Sequence, residues 1–194
     1  MIYKQSISVV VPIYNDSEVI HELIKRLGPV LESITADYEI ILVDDGSRDD
    51  SWLQMLTVRQ ANACIKAVRL SRNFGQQSAI AAGLSLTSKE LIVLMDSDLQ
   101  DRPEDIPVLI DALLADEKAT MAIAQWEERK DSRFKLAVSR LFQRVSNSIT
   151  EIHTMPRLGI FRVMKKSVVD ELRNFPEKTA TTVSLLYYIG SRSV

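Results

Sequence analysis

Short runs dominated by apolar residues alternate along the chain with stretches whose apolar residues recur every three or four positions. The runs at 7–11, 40–43, 65–70, 91–95 and 121–124 are of strand length and read as buried strands. Between the first two, Val19, Leu23, Leu27, Leu31 and Ile34 recur at helical spacing. Asn15 followed by Glu18 has the form of a capping box at the start of that helix, and Gly28-Pro29 is expected to bend or interrupt it. Further helices are predicted over 51–61, 76–86, 103–114 and 133–149, with Pro103 suited to a first helical position. This alternation predicts an α/β fold, a mostly parallel central sheet covered by helices on both faces.

Composition narrows the reading. A chain of 194 residues that is 46% hydrophobic buries one full core, so a single domain is expected over 1–194. The net charge of −2, with acids and bases mixed along the chain, excludes a general nucleic-acid binder and a polybasic membrane patch. The one cysteine, Cys64, excludes an internal disulfide, suits a reducing compartment and reads as a small buried hydrophobe. The N-terminus lacks the basic region and apolar core of a signal peptide, and no run approaches the ~18 apolar residues that span a bilayer. A cytoplasmic domain is therefore expected. The chain stops just after the apolar run 185–189, which reads as a boundary with more chain beyond it.

In open parallel sheets ligands sit outside the carboxyl ends of the strands. Here those positions are polar: Pro12-Ile13-Tyr14-Asn15-Asp16, Asp44-Asp45-Gly46-Ser47, Ser71-Arg72-Asn73-Phe74-Gly75 and Asp96-Ser97-Asp98. Neither the dinucleotide glycine pattern nor the Gly-Lys-Ser/Thr phosphate loop occurs, so a helix end wrapped around phosphate is not the device. Carboxylates repel a diphosphate unless a divalent cation lies between them, and Mg²⁺ or Mn²⁺ binds through one or two acids plus substrate oxygens. Asp96 and Asp98 supply that arrangement; the plainer alternative is a strand end and a cap for the helix at Pro103. Likewise Asp44-Asp45-Gly46-Ser47 is either a turn leading to a cap at Asp49 or Ser51, or a pair of acids of which one accepts from a ligand.

Val-Pro-Ile-Tyr-Asn-Asp (11–16), Val-Asp-Asp-Gly-Ser-Arg-Asp (43–49), Ser-Arg-Asn-Phe-Gly (71–75) and Met-Asp-Ser-Asp-Leu-Gln-Asp (95–101), in that order and spacing, resemble glycosyltransferase family 2, in particular its polyprenyl-phosphate sugar transferases. The resemblance implies a GT-A fold, a Rossmann-like three-layer α/β/α arrangement, with the nucleotide-binding part over about 1–125 and the acceptor side over about 126–194. It implies that Pro12, Tyr14, Asp16, Asp44, Asp45 and Ser97 hold the nucleoside part of a UDP- or GDP-linked sugar. Asp96 and Asp98 would hold its diphosphate through Mg²⁺ or Mn²⁺, with Gln100 near the sugar. It further implies inverting transfer of a hexose to polyprenyl phosphate or a saccharide hydroxyl, and membrane contact through a C-terminal segment outside this sequence. Neither a homo-oligomer nor a non-catalytic nucleotide-sugar-binding module is excluded.

Two positions depart from the family pattern. Where those relatives carry an Asp two residues before the glycine of a Gly-x-Phe-Arg-Leu stretch, this chain has Arg157 before Gly159-Ile160-Phe161-Arg162-Val163. Gln125-Trp126 stand where an arginine is expected. A lipid phosphate is ionised near neutral pH and needs no general base, so Arg157, with Arg162 or Arg129, is read as receiving an anionic acceptor; a weakened transferase is the rival reading. His21 and His153 lack any nucleophile or metal-ligand spacing. Trp52 fits a helix face, and Trp126 is open between packing and a sugar site. Asn73 and Gly75 are expected to shape the turn into the next helix, while Arg72 stays open between an ion pair and a phosphate contact.

Overall fold

The computed structural model describes residues 2–124 and 159–174. The chain divides into two compact units, Met1–Ile123 with Ile160–Val194, and Ala124–Gly159. The elements below all belong to the first. They are β1 (Ile7–Ile13), α1 (Ile20–Ile34), β2 (Tyr38–Asp44), α2 (Ser51–Ala61), β3 (Ile65–Arg69), α3 (Gln76–Ser85), β4 (Leu91–Leu94), a 3₁₀ turn (Pro103–Asp105), α4 (Ile106–Ala115), β5 (Met121–Ile123), β6 (Arg162–Lys165) and α5 (Lys166–Asn174). The helix expected over 133–149 lies outside the described residues.

The strands form one six-stranded sheet in the order β3-β2-β1-β4-β6-β5. β1 pairs in parallel with both β2 and β4, β2 with β3, and β6 runs antiparallel to β4 and β5. Strand order therefore reverses between β1 and β4, which opens a crevice at their carboxyl ends. The β1–β4 ladder stops at Val10, paired with Leu94. Pro12 lies past it, where its missing N–H leaves no ladder bond unmade.

Alternation along the strands feeds two cores. Val10, Ile41, Val43, Ile92 and Leu94 pack with Ala79, Ile80 and Leu84 of α3 and Val168 and Val169 of α5. Val9, Val11, Ile40, Leu42 and Val93 point the other way and are equally buried. Gly83 permits a close seat of α3 on the sheet: a Cβ there would lie 2.4 Å from Val10 Cγ1.

Four local expectations change. First, α1 runs unbroken through Gly28-Pro29. Its buried stripe Leu23, Leu27, Leu31 holds it to the core, while Pro29 lies on the exposed face. Second, Asn15 does not cap α1. Its Oδ1 accepts from the Arg48 backbone N–H (2.9 Å), tying the loop after β1 to the loop after β2. Third, Pro103 opens the 3₁₀ turn rather than the α-helix proper. Fourth, Cys64 is half-buried, because it precedes the edge strand β3.

Candidate functional site

The loops after β1, β2, β3 and β4 meet at one edge of the sheet, around an open cleft of about 390 Å³. Pro12, Tyr14, Asp16 and Asp45 line it from one side, and Asp96, Ser97 and Asp98 line it from the other. Asn73, Gly75 and Gln76 close its wall at the start of α3. Pro12, Tyr14, Asp16, Asp45, Asp96, Ser97 and Asp98, all expected to hold the donor, thus face one space.

The carboxylates on the β4 side are held by a tight turn. Ser97 Oγ donates to Asp16 Oδ2 at 2.5 Å, joining the loops after β1 and β4. The Asp96 backbone N–H donates to Asp101 Oδ2 (2.9 Å), and the Gln100 N–H donates to Asp98 Oδ1 (3.0 Å). Leu99, between them, takes φ of +62°, an unfavourable conformation for a bulky side chain that these bonds fix in place. Gln76 Nε2 donates to Asp96 Oδ1 (2.7 Å). Burial, and then the charges of Asp101 and Asp98, push the Asp96 carboxyl up to about 6. Asp101 is also pushed up, by burial and then by Asp98, against the bond from the Asp96 N–H.

This donor set fits a small hard cation. All its atoms are carboxylate oxygens, crowded enough that negative charge is unfavourable without compensation. Among the described residues no three acidic, histidine or cysteine side chains close around one point. Mg²⁺ and Mn²⁺ accept such sites when substrate oxygens supply the remainder of the coordination shell.

The Asp44-Asp45 pair divides. Asp44 is fully buried behind the cleft, its Oδ1 accepting from the Ser47 N–H (2.8 Å) and its Oδ2 lying 3.0 Å from Arg69 Nε. Arg69 in turn stacks over Trp52, 5.7 Å from the ring centre. Asp45 faces the cleft and grips its wall: Oδ1 accepts from the Phe74 N–H (2.8 Å) and Oδ2 from the Gly75 N–H (2.9 Å). Each of two carboxylate oxygens keeps further acceptor capacity toward a ligand.

Of the other sequence candidates, Gln100 is exposed beside Asp98 and is not part of the cleft wall. Arg157, Arg129, His153 and Trp126 lie outside the described residues. Arg162 is fully buried in β6, and its Nε donates to the Ile160 carbonyl (2.9 Å). Arg72 stacks on Phe74, 4.8 Å from the ring centre. His21 bonds to Gln54 (2.7 Å) on the surface, away from the cleft. Sequence reasoning passed over Gln76 and Asp101. Asp101 closes the 95–101 motif and bonds to Asp96 within its own turn, whereas Gln76 follows the 71–75 motif and meets Asp96 only once the loops after β3 and β4 have come together.

An open α/β sheet with a carboxylate-lined cleft at its switch point defines the GT-A class of fold. Solved structures share it: glucosyl-3-phosphoglycerate synthase from Mycobacterium tuberculosis, in complex with Mn²⁺, UDP-glucose and phosphoglyceric acid, superposes with a TM-score of 0.65 at 21% identity, over 94% of this chain and 64% of that one. Mannosyltransferase PcManGT from Pyrobaculum calidifontis, in complex with GDP-Man and Mn²⁺, gives 0.69 at 18% identity, over 99% and 55%. The chain belongs to glycosyl transferase family 2, whose pattern matches residues 8–173. It is 34% identical over 186 residues to the uncharacterized glycosyltransferase sll0501 of Synechocystis sp., covering 96% of this chain. The chain spans 58% of that relative's length. No helix among the described residues is long and apolar enough to cross a membrane.

Proposed function

We propose that this chain is the catalytic domain of a metal-dependent, inverting hexosyltransferase that uses a UDP- or GDP-linked sugar and transfers to polyprenyl phosphate at the cytoplasmic face of a membrane. The observation that carries the donor half is the convergence of Pro12, Tyr14, Asp16 and Asp45 with Asp96 and Asp98 on one cleft at the β1–β4 switch point. The polyprenyl phosphate half is supported by the motif set and by Arg157, in a segment over about 126–194 assigned to the acceptor.

In this reading the nucleoside lies against Pro12, Tyr14 and Asp45, and the diphosphate points to Asp96 and Asp98. A bound Mg²⁺ or Mn²⁺ supplies charge neutralisation between those carboxylates and the departing diphosphate. The chain's own residues bind and orient. The Ser97–Asp16 bond and the turn closed by Asp101 hold the carboxylates at fixed positions, so that little reorganisation accompanies reaction. The bond from the anomeric carbon to the diphosphate oxygen breaks, its electron pair leaving with the nucleoside diphosphate. An acceptor oxygen forms the new bond from the opposite face. A phosphate acceptor arrives ionised, and Arg157 supplies a positive charge to draw it in.

Calorimetry with UDP-glucose, GDP-mannose and their parent diphosphates, in Mn²⁺, Mg²⁺ and chelator, tests the donor half. Selective binding that requires metal and disappears in Asp98→Ala is expected; binding indifferent to chelator and to that substitution would refute it. The acceptor half fails if Arg157→Asp leaves transfer to polyprenyl phosphate unchanged or improved.

A further inference from the structure

The loop after β3 and the loop after β4 are joined by one side-chain bond, from Gln76 Nε2 to Asp96 Oδ1 at 2.7 Å. Gln76 is the first residue of α3, and the backbone just before it is anchored. The Phe74 and Gly75 N–H groups are taken by the buried Asp45 carboxylate, and Asn73 Oδ1 accepts from the Gly75 N–H as well (3.0 Å). The origin of the Gln76 side chain is therefore fixed to the body of the sheet. At the other end, the Asp96 backbone is fixed by its N–H bond to Asp101. The Asp96 carboxylate is free to rotate only about its side-chain torsions, and among the described residues Gln76 supplies the one side-chain donor that it accepts from.

The kind of donor matters. Lysine or arginine at this place would pair with Asp96 and cancel its charge, whereas a carboxamide bonds one oxygen and leaves the full negative charge in the cleft. Gln76 also stands in the cleft wall, and is exposed, so it contributes little to the core. An exposed amide whose partner is a cleft carboxylate has orientation of that carboxylate as its evident effect.

We infer that Gln76 is a positioning residue for metal-dependent donor binding: by holding Asp96 Oδ1 with a neutral donor, it turns the remaining carboxylate lone pairs toward a divalent cation without reducing their charge. This rests on the donor-site reading above. Outer groups that orient a metal's ligands commonly contribute ten- to a hundredfold in metal affinity.

The test compares the full chain with Gln76→Leu and Gln76→Ala, titrating UDP and GDP calorimetrically in chelator and over a series of Mn²⁺ concentrations, with thermal unfolding alongside. The Mn²⁺ concentration for half-maximal nucleotide binding is expected to rise about tenfold in both variants, with binding regained at saturating Mn²⁺ and a cooperative thermal transition kept. An unaltered Mn²⁺ requirement, or a loss of affinity that saturating Mn²⁺ does not restore, would overturn the inference. If the unsubstituted chain shows no Mn²⁺-dependent binding of either nucleotide, the donor-site reading itself fails and takes the inference with it, an outcome distinguishable from the first two.

Discussion

Ser97 Oγ reaches Asp16 Oδ2 at 2.5 Å, across 81 residues of sequence. Ser97 is buried and Asp16 half-buried, so this charge-assisted bond joins the loops after β1 and β4 where both face the cleft. Ser97→Ala leaves the Asp16 carboxylate without that donor. A loss of about 1–2 kcal/mol in unfolding free energy is expected by urea denaturation, together with weaker donor binding. Unchanged stability would show that water replaces the hydroxyl at no cost.

Asp96 is held at a stability cost. Its folded-state carboxyl, pushed up to about 6 by burial and by Asp101 and Asp98, holds a proton more tightly than in the unfolded chain. The sign follows: in chelator, this group favours the fold at low pH, and the contribution is lost as pH rises from its ordinary value of 3.8 through about 6. Asp96→Asn removes the charge and keeps an oxygen for Gln76. The variant is expected to melt a few degrees higher than the parent chain at pH 7.5 in chelator, and to lose Mn²⁺-dependent nucleotide binding. A lower melting temperature would contradict this.

Glu39 gives the opposite dependence, at the far end of the sheet. Burial pushes its carboxyl up, but bonds from Lys66 Nζ and Ser8 Oγ (each 2.6 Å) and from the Ser88 backbone and hydroxyl outweigh burial and hold it at about 2. A lowered carboxyl stabilises the fold above its ordinary value of 4.5, and the contribution is lost as pH falls from there toward about 2. Urea midpoints measured across that window are expected to fall more steeply for the parent chain than for Glu39→Gln. Parallel profiles would remove Glu39 from the acid response.

The parts of this fold legible in the sequence are those that depend on neighbours in the chain. β1, β2 and β4 are apolar runs, and the polar residues that follow them mark the cleft edge. β6 was not legible. Arg162-Val163-Met164-Lys165 has a cation at each end, and what makes it a strand is pairing with β4 and β5, from which the sequence separates it. Asn15 and Asp44 show the same limit in the site. Each carries a side chain that suits a cap or a ligand; in the fold Asn15 accepts from Arg48 of the next loop, and Asp44 accepts from Ser47 of its own turn and lies beside Arg69 of β3. Residue type and spacing announce where polar chemistry gathers, but the partner of each oxygen is decided by loops that meet only in three dimensions.

Gly46 carries a prediction of a different kind, about backbone rather than charge. It takes φ of +69° in the turn after β2, and a Cβ there would lie 2.5 Å from the Arg72 carbonyl carbon and 2.6 Å from the Asn73 nitrogen. Both are backbone atoms of the loop whose Phe74 and Gly75 N–H groups Asp45 holds, so neither swings aside as a flexible side chain would. Gly46→Ala therefore combines left-handed strain with a clash that moves the wall of the cleft. A loss of about 3 kcal/mol or more is expected in urea unfolding, with donor binding lost alongside it. If the variant kept both its stability and its donor affinity, the 71–75 loop would have to be able to back away from β2 while still closing the cleft, and the grip of Asp45 on it would not be what sets the wall.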